Sequence, residues 1–122
     1  MSRDLGPPWL GKAQRAALTL KATTRGASRG GQSVYVVLLH DSRRADPWGL
    51  YVGQTSRDPD LRFDQHKTGY KASGAARRFG VRLLPDLVAH LNPMRRWEAL
   101  DLEAALAEAF RAAGVPWVEG GH

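Results

Sequence analysis

The sequence predicts an α+β domain built around a small, mainly antiparallel, three-stranded sheet flanked by helices. Two apolar runs rich in β-branched and aromatic residues, SVYVVLL at 33–39 and LYVG at 50–53, are typical of neighbouring strands. Helical patterns with start and stop residues follow them, and there is no internal repeat. The 122 residues suffice for one such domain.

Residues 1–32 predict a basic N-terminal arm, or a short helix plus linker, ahead of a domain at 33–122. Residues 9–22 favour a short basic helix, and TTRGASRGGQ is typical of a flexible linker. Residues 1–31 hold six Lys and Arg against one acid, and the whole chain has a net charge of +6. This charge favours an anionic partner, with nucleic acid the first candidate, although a solubilising basic tail has the same composition.

The first apolar run has the composition of a strand covered on both faces. Tyr35, Val37 and Leu39 point to one face, and the residues between them point to the other. The second run follows a ten-residue polar loop and predicts an antiparallel strand. On it Tyr51 and Gly53 share a face, and the glycine leaves room beside the tyrosine.

A helix follows the second strand. Asp58-Pro59 provides an N-cap and a first helical residue, and the pattern continues to about Thr68, before a glycine. Arg62 and His66 are four residues apart, so they share one face of this helix.

The second half of the chain predicts a short basic helix at 73–79 and a third strand around Val81 to Leu84. A long helix, capped by Asn92-Pro93, ends before Gly114. The apolar residues that form its buried stripe by helical spacing are Leu102, Leu106, Ala109, Phe110 and Ala113.

Two glutamates of the long helix lie near this stripe. Glu103 falls on its edge, where a carboxylate can stay ionised and still face a cleft, whereas Glu108 points away. Glu98 falls closer to the centre of the stripe and is the rival of Glu103 as a functional carboxylate.

The chain contains no cysteine, which excludes disulfides and thiolate zinc sites and favours the cytoplasm. The longest apolar run, Val34 to Leu39, is too short to span a membrane, and residues 1–20 lack the apolar stretch of a secretory signal. We expect a soluble cytoplasmic protein that binds no membrane.

Four sequence features occur in a characteristic order: Ser33-Val34-Tyr35, Tyr51-Val52-Gly53, then Arg62 and Glu103 on successive helices. In this order they resemble the GIY-YIG nuclease superfamily, which includes homing endonucleases, some restriction enzymes and the incision domain of a bacterial excision-repair protein. The resemblance covers roughly Ser33 to Ala113, and EALDLEAALAEAF is similar to the glutamate helix of the repair domain. The asparagine that usually follows this helix is absent, and the tail reads VPWVEGGH.

The resemblance implies a metal-dependent endonuclease that hydrolyses phosphodiester bonds in DNA. It implies that Tyr35 activates the attacking water, that Tyr51 orients water or phosphate, and that Arg62 holds the scissile phosphate. Glu103 would bind Mg²⁺ or Mn²⁺, and His66 would assist proton transfer. Because the ordinary pKa of a phenol is about 10, Tyr35 can act as a base only if nearby cations lower its pKa.

Further cations extend the positive charge from Arg62 and are suited to following a phosphate backbone. Trp48, between the two strands, either stacks on a base or anchors the loop by local packing. His122 is a candidate replacement for the missing asparagine. The candidates for nucleic-acid binding are Lys67, Lys71, Arg77 and Arg78.

The main alternative is a non-catalytic nucleic-acid-binding module that retains the nuclease fold, which the missing asparagine and the basic arm favour. Taken singly, each site residue has a structural interpretation: core packing for Tyr35 and Tyr51, a solvated helix surface for Arg62, and helix termination for His66. Glu98 stays the rival metal ligand of Glu103. The ordered coincidence of the five site residues favours the nuclease, with DNA the expected partner, RNA not excluded, and the oligomeric state open.

Overall fold

The computed structural model describes residues 6–26, 31–56, 58–68 and 74–121, and of residues 65–68 the backbone alone. This part of the chain forms an α+β fold in which a four-stranded sheet is flanked by helices. The strands are β1 Ser33–His40, β2 Trp48–Thr55, β3 Gly80–Leu83 and β4 Val118–Gly120. The helices are α1 Leu10–Leu18, α2 Pro59–Thr68, α3 Gly74–Phe79 and α4 Arg96–Ala112, with a 3₁₀ turn at Pro85–Leu87.

The sheet is mixed, with the strand order β3-β1-β2-β4. β1 pairs antiparallel with β2 and β3, whereas β4 pairs in parallel with β2, so the prediction of a three-stranded sheet is wrong by one strand. β4 forms because the outer edge of β2 offers backbone groups to the chain that returns from α4. The Leu50 N–H donates to the Trp117 carbonyl at 2.9 Å, and the Gly121 N–H donates to the Val52 carbonyl at 3.1 Å.

The first strand is buried on both faces, as predicted. Val36 and Leu38 project into an aliphatic core that α4 and α1 cover, which we call the apolar face of the sheet. Tyr35, Val37 and Leu39 project to the opposite side, which we call the tyrosine face, where α2 and α3 pack. The candidate site residues of β1 and β2 therefore belong to the tyrosine face.

In its described part, the basic N-terminal segment is not a free arm, because its helix α1 packs against the domain. The small residues Ala13 and Ala17, one turn apart on α1, are fully buried in the core of the apolar face. This contact folds the segment onto the domain. The exposed Lys12 and Arg15 consequently lie on the side of the sheet opposite the tyrosines.

The helices α2 and α4, which carry Arg62 and Glu103, begin differently. Asp58 caps α2 as predicted, because its carboxylate accepts the backbone N–H of Asp60 at 2.8 Å. Asn92-Pro93 does not cap α4, whose first residue is Arg96. The Asn92 side chain instead accepts the N–H of Val34 at 2.9 Å and donates to its carbonyl at 2.8 Å, which ties this turn to β1. Over the described ranges, no helix has the length and apolar character needed to cross a membrane.

Candidate functional site

The Tyr35 ring lies over Gly53, its partner across β1 and β2. A Cβ atom at position 53 would fall 2.6 Å from both Cζ and Oη of Tyr35, closer than side-chain carbons approach. Glycine is therefore required here, because only a bare backbone leaves room for the phenol. The room that Gly53 provides is occupied by the tyrosine of the neighbouring strand.

Three of the five predicted site residues meet in one group. The ring centroids of Tyr35 and Tyr51 are 6.1 Å apart, with the ring planes tilted by 40°. The Tyr35 side chain is hydrogen-bonded to those of both Tyr51 and Arg62. A strand, its neighbour and the following helix thus converge on one phenol, as the sequence predicts for these residues. We call Tyr35, Tyr51 and Arg62 the tyrosine–arginine cluster.

Burial raises the pKa of Tyr35 well above its ordinary value, because only 3% of the residue is exposed and a phenolate there would lose its hydration. Tyr51 raises the pKa further, whereas the guanidinium of Arg62 lowers it without reversing the direction. The requirement that cations lower the pKa of Tyr35 is therefore not met in this state. Tyr35 keeps its proton at neutral pH, so it is a hydrogen-bonding group and not a preformed base.

Arg62 is aimed at the sheet by the start of α2. Its backbone N–H donates to the Asp58 carbonyl at 3.0 Å in the first turn. The next residue, Phe63, packs into the core of the tyrosine face and so fixes the rotation of the helix. The Arg62 side chain is half-buried, which places a permanent cation where solvent only partly screens its charge.

Several of the other predicted residues lie outside the described part of the chain. The side chains of His66 and Lys67 lie outside the described residues, as do Lys71 and His122. Arg77 and Arg78 are exposed on α3. Trp48 packs edge-on against His40, with ring centroids 4.5 Å apart, and against the apolar-face core. Of the two interpretations of Trp48, local anchoring therefore fits its surroundings.

Glu98, the rival carboxylate, holds the N-terminal segment. It accepts hydrogen bonds from the backbone N–H and the hydroxyl of both Thr23 and Thr24, at distances between 2.5 and 2.9 Å. The Thr24 hydroxyl, followed by the two backbone N–H groups, lowers the pKa of Glu98 to about 2, although burial acts in the opposite direction. A carboxylate with these partners acts as a clasp between chain segments, which leaves Glu103 as the better candidate for metal binding.

Glu103 is buried on α4, and the backbone of its turn lies beside the end of β4. A Cβ at Gly121 would lie 3.5 Å from the backbone carbonyl of Glu103, and a Cβ at Gly120 would lie 3.1 Å from Cε1 of Tyr51. Both glycines have positive φ, 80° and 83°, which other residues rarely adopt. We call Gly120-Gly121 the glycine seam: it lets the end of β4 pack closely against both this turn of α4 and Tyr51.

A second carboxylate, absent from the sequence prediction, lies on the tyrosine face. Glu119 is opposite Tyr51 in the parallel pairing of β4 with β2, and it is half-buried. Its carboxylate accepts the indole N–H of Trp117 at 2.9 Å. The only sequence signal for β4 is the short stretch WVE followed by two glycines, and so few residues cannot identify a strand.

The side chains near this site that could bind a metal ion are carboxylates. Within the described part of the chain, no group of three or more His, Cys, Asp or Glu is arranged to hold a metal ion. Glu103 and Glu119 are nevertheless hard donors of the kind that Mg²⁺ and Mn²⁺ prefer. Since Mg²⁺ keeps most of its own waters, one protein carboxylate suffices in a site that binds phosphate, and the residues present fit such an ion.

A scan against protein-family models, a search of curated proteins and a search of solved structures each found no match for this chain. Its function must therefore be argued from the fold and from the side chains themselves.

Proposed function

We propose that this chain is a GIY-YIG-type, metal-dependent endonuclease that hydrolyses phosphodiester bonds in DNA. The observation that carries the proposal is the tyrosine–arginine cluster, in which three elements bring two phenols and a guanidinium into hydrogen-bonded contact. Packing alone explains an aromatic pair on a sheet, but it does not explain a half-buried arginine hydrogen-bonded to it. The same residues are those that the family resemblance selects.

Arg62 binds the scissile phosphate. A guanidinium donates two parallel hydrogen bonds to phosphate oxygens, and its charge offsets the negative charge that builds up during hydrolysis. The contact with Tyr35 holds Arg62 in one orientation before substrate arrives. Preorganisation of this kind lowers the reorganisation needed in the transition state.

Tyr35 and Tyr51 form a route for the proton of the attacking water. Because Tyr35 stays protonated, it accepts the water proton at its oxygen only as its own proton passes to the oxygen of Tyr51. Tyr51 is half-buried and releases one proton to solvent, so each phenol ends with the number of protons it began with. This relay replaces the simple base that the sequence suggested for Tyr35.

Glu103 would hold the divalent ion, since the glycine seam joins its turn of α4 to the strand end that adjoins Tyr51. When bound, Mg²⁺ or Mn²⁺ supplies charge neutralisation at the phosphoryl oxygens and stabilises the leaving oxygen. The carboxylate of Glu119, opposite Tyr51, adds a second negative charge on the same face.

A non-catalytic nucleic-acid-binding module is the second candidate. The burial of Tyr35 and the upward direction of its pKa favour it, because a buried, protonated phenol packs well whether or not it reacts. This module binds duplex DNA in a salt-dependent manner, and neither a chelator nor the substitution Glu103→Gln changes its affinity.

Nicking of supercoiled plasmid with MgCl₂ or MnCl₂ separates the two candidates. We expect Arg62→Ala and Glu103→Gln to lower the nicking rate by about 10²- to 10³-fold. Arg111→Ala and Glu108→Gln are matched controls, since these residues form an exposed ion pair of 3.9 Å on α4. We expect both variants to retain the wild-type rate. Wild-type protein that binds DNA but cuts no tested substrate supports the module, and equal rates for site and control variants contradict the nuclease.

A further inference from the structure

A second arginine is held in a fixed position on the tyrosine face, away from Tyr35. The guanidinium carbon of Arg44 lies 3.7 Å from the ring centroid of Trp117. The indole itself sits on β2, because a Cβ at Gly49 would fall 2.6 Å from Cε3 of Trp117. Arg44 nonetheless has 43% of its side chain exposed. One face of this guanidinium lies against the indole ring of Trp117, and part of the side chain faces solvent.

Neighbouring groups extend this position into a cationic surface. The Phe79 ring packs edge-on against Trp117, with centroids 5.4 Å apart, and the Arg78 guanidinium carbon lies 5.2 Å from the Phe79 centroid. Two arginines are therefore placed on two adjoining aromatic rings. Stacking of this kind leaves the planar donors of each guanidinium at its edge, which is the geometry that binds phosphate.

The loop between β1 and β2 adds a third cation. Asp41 contacts Arg43 at 3.2 Å and Arg44 at 3.7 Å, in both cases through the Nε atom. The pKa of Asp41 lies below its usual range because its carboxylate is hydrogen-bonded to Arg43, mainly to the backbone N–H and less to the side chain. This carboxylate is therefore ionised at neutral pH. We call Arg43, Arg44 and Arg78 the loop-end arginines. With Asp41 included, the group keeps an excess of positive charge.

The loop-end arginines are aligned with the tyrosine–arginine cluster along one strand. Gly49 and Gly53 are four residues apart on β2 and share its tyrosine face. Trp117 with Arg44 sits over the first glycine, and Tyr35 sits over the second. Four residues of strand span about 13 Å. This distance exceeds the rise of about 3.4 Å per nucleotide along the DNA helix axis, so the two positions would contact different phosphates of one strand.

We propose that the loop-end arginines form a second DNA contact, at which Arg44 binds a phosphate of the same strand within a few nucleotides of the scissile phosphate. This inference rests on the proposed function for the position of the first phosphate. Glu119 lies on the same face between Tyr51 and Trp117. Its negative charge repels a phosphate at the intermediate position, so the strand is held at two separated points.

Salt-dependent affinity for a fluorescently labelled DNA duplex, measured without divalent metal, tests this contact. Arg44→Ala removes one phosphate contact and therefore weakens binding and reduces the slope of log K against log [salt] by about 0.9. Arg111→Ala, which removes the same charge from an exposed site on α4, leaves the slope unchanged. Arg44→Lys, which keeps the charge, retains most of the wild-type slope.

Equal slopes for Arg44→Ala and Arg111→Ala, or a lysine variant as weak as the alanine variant in protein that is still folded by circular dichroism, overturn the contact. Glu119→Gln provides an independent readout. It retains an acceptor for Trp117 but removes the charge, so we expect tighter binding; unchanged or weaker binding contradicts the two-point arrangement.

Single methylphosphonate substitutions locate the second contact. In wild-type protein, neutralising one phosphate within a few nucleotides of the nick weakens binding, and in Arg44→Ala the same substitution has no further effect. If wild-type protein nicks DNA and every phosphate in this range is silent, the second contact is wrong and the nuclease stands. If wild-type protein never nicks but Arg44→Ala weakens binding, the nuclease is wrong and the surface stands. Absence of duplex binding at low salt overturns both.

Discussion

The two faces of the sheet are formed by the same strands but differ in the residues that they contain. On the apolar face, Val34, Val36 and Leu38 of β1 meet Leu50 and Val52 of β2, and all five are essentially inaccessible to solvent. α4 and α1 seal this side. The tyrosine face also has a small core, which includes the buried Val37 and Leu39, but it adds phenols, an indole and stacked arginines, and it contains glycines where a Cβ would overlap the rings. The buried strand residues are all apolar on the first face, whereas the second combines packing with polar groups in fixed positions.

This division makes the faces separable by mutation. Residues alternate along β1, so Tyr35 and Val36 are neighbours in sequence but lie on opposite sides of the sheet. Under the proposed function, we expect a substitution on the apolar face to change mainly stability and a substitution on the tyrosine face to change mainly the nicking rate. Failure of this separation would show that the faces are coupled through the strand.

The largest effect on stability is expected on the apolar face. Leu38→Ala leaves a cavity in a fully buried position and lowers the free energy of unfolding by about 2–5 kcal/mol. Urea denaturation followed by circular dichroism measures this change. The nicking rate per folded molecule remains that of wild type, and a fall by more than about tenfold would show that the apolar face also controls the site.

Tyr35→Phe, in contrast to Leu38→Ala, is expected to change the nicking rate. It keeps the ring over Gly53 but removes the oxygen that contacts Tyr51 and Arg62. We expect the nicking rate to fall by about 10²-fold, within the range for loss of a proton-transfer group. Single-turnover nicking at saturating DNA measures the change, and DNA affinity serves as the control because Arg62 is retained. A wild-type rate would exclude the relay.

Local signals explain why much of the fold was predictable. β1 and β2 have β-branched and aromatic runs, and α2 has an Asp-Pro start whose capping bond is present at 2.8 Å. β4 was missed because its three residues have no pattern of their own and depend on pairing with the distant β2. The start of α4 was misplaced because Asn92, a good capping residue, bonds instead to Val34 in a remote strand.

Three residues of the predicted site meet, but the electrostatics of this group could not be predicted. Tyr35, Tyr51 and Arg62 follow from the order of the motifs and contact one another in the structure. Their catalytic roles stay a prediction. The direction of the Tyr35 pKa depends on how deeply the sheet buries it, which sequence spacing does not give. Glu98 likewise has its partners 74 and 75 residues away, so the clasp that distinguishes it from Glu103 is a tertiary feature.

Gly53→Ala sharpens the comparison by adding bulk to the tyrosine face. The new methyl group would overlap the Tyr35 ring, which must shift, at a cost of about 1–3 kcal/mol in the free energy of unfolding. Gly74→Ala is the matched control, since no described residue would lie within 4 Å of a Cβ added there, and the expected change is neutral or stabilising by up to about 1 kcal/mol. Thermal melts compare the two variants, and equal stability would show that Tyr35 does not need the space above Gly53.

The smallest effect is expected at Glu98, the clasp on the apolar side, and its pH dependence falls at acid pH. The pKa of Glu98 is about 2 in the folded protein, against an ordinary value of 4.5, so ionised Glu98 stabilises the fold above pH 4.5 and this stabilisation is lost as pH falls from 4.5 to 2. Glu98→Gln removes the titration, so the Tm of wild type should exceed that of the variant most at neutral pH and approach it near pH 2. Glu108→Gln, at an exposed position of the same helix, should follow the wild-type curve. Parallel curves for wild type and Glu98→Gln would mean that the four hydrogen bonds at Glu98 do not depend on its charge, and that Thr23 and Thr24 are held by the surrounding core instead.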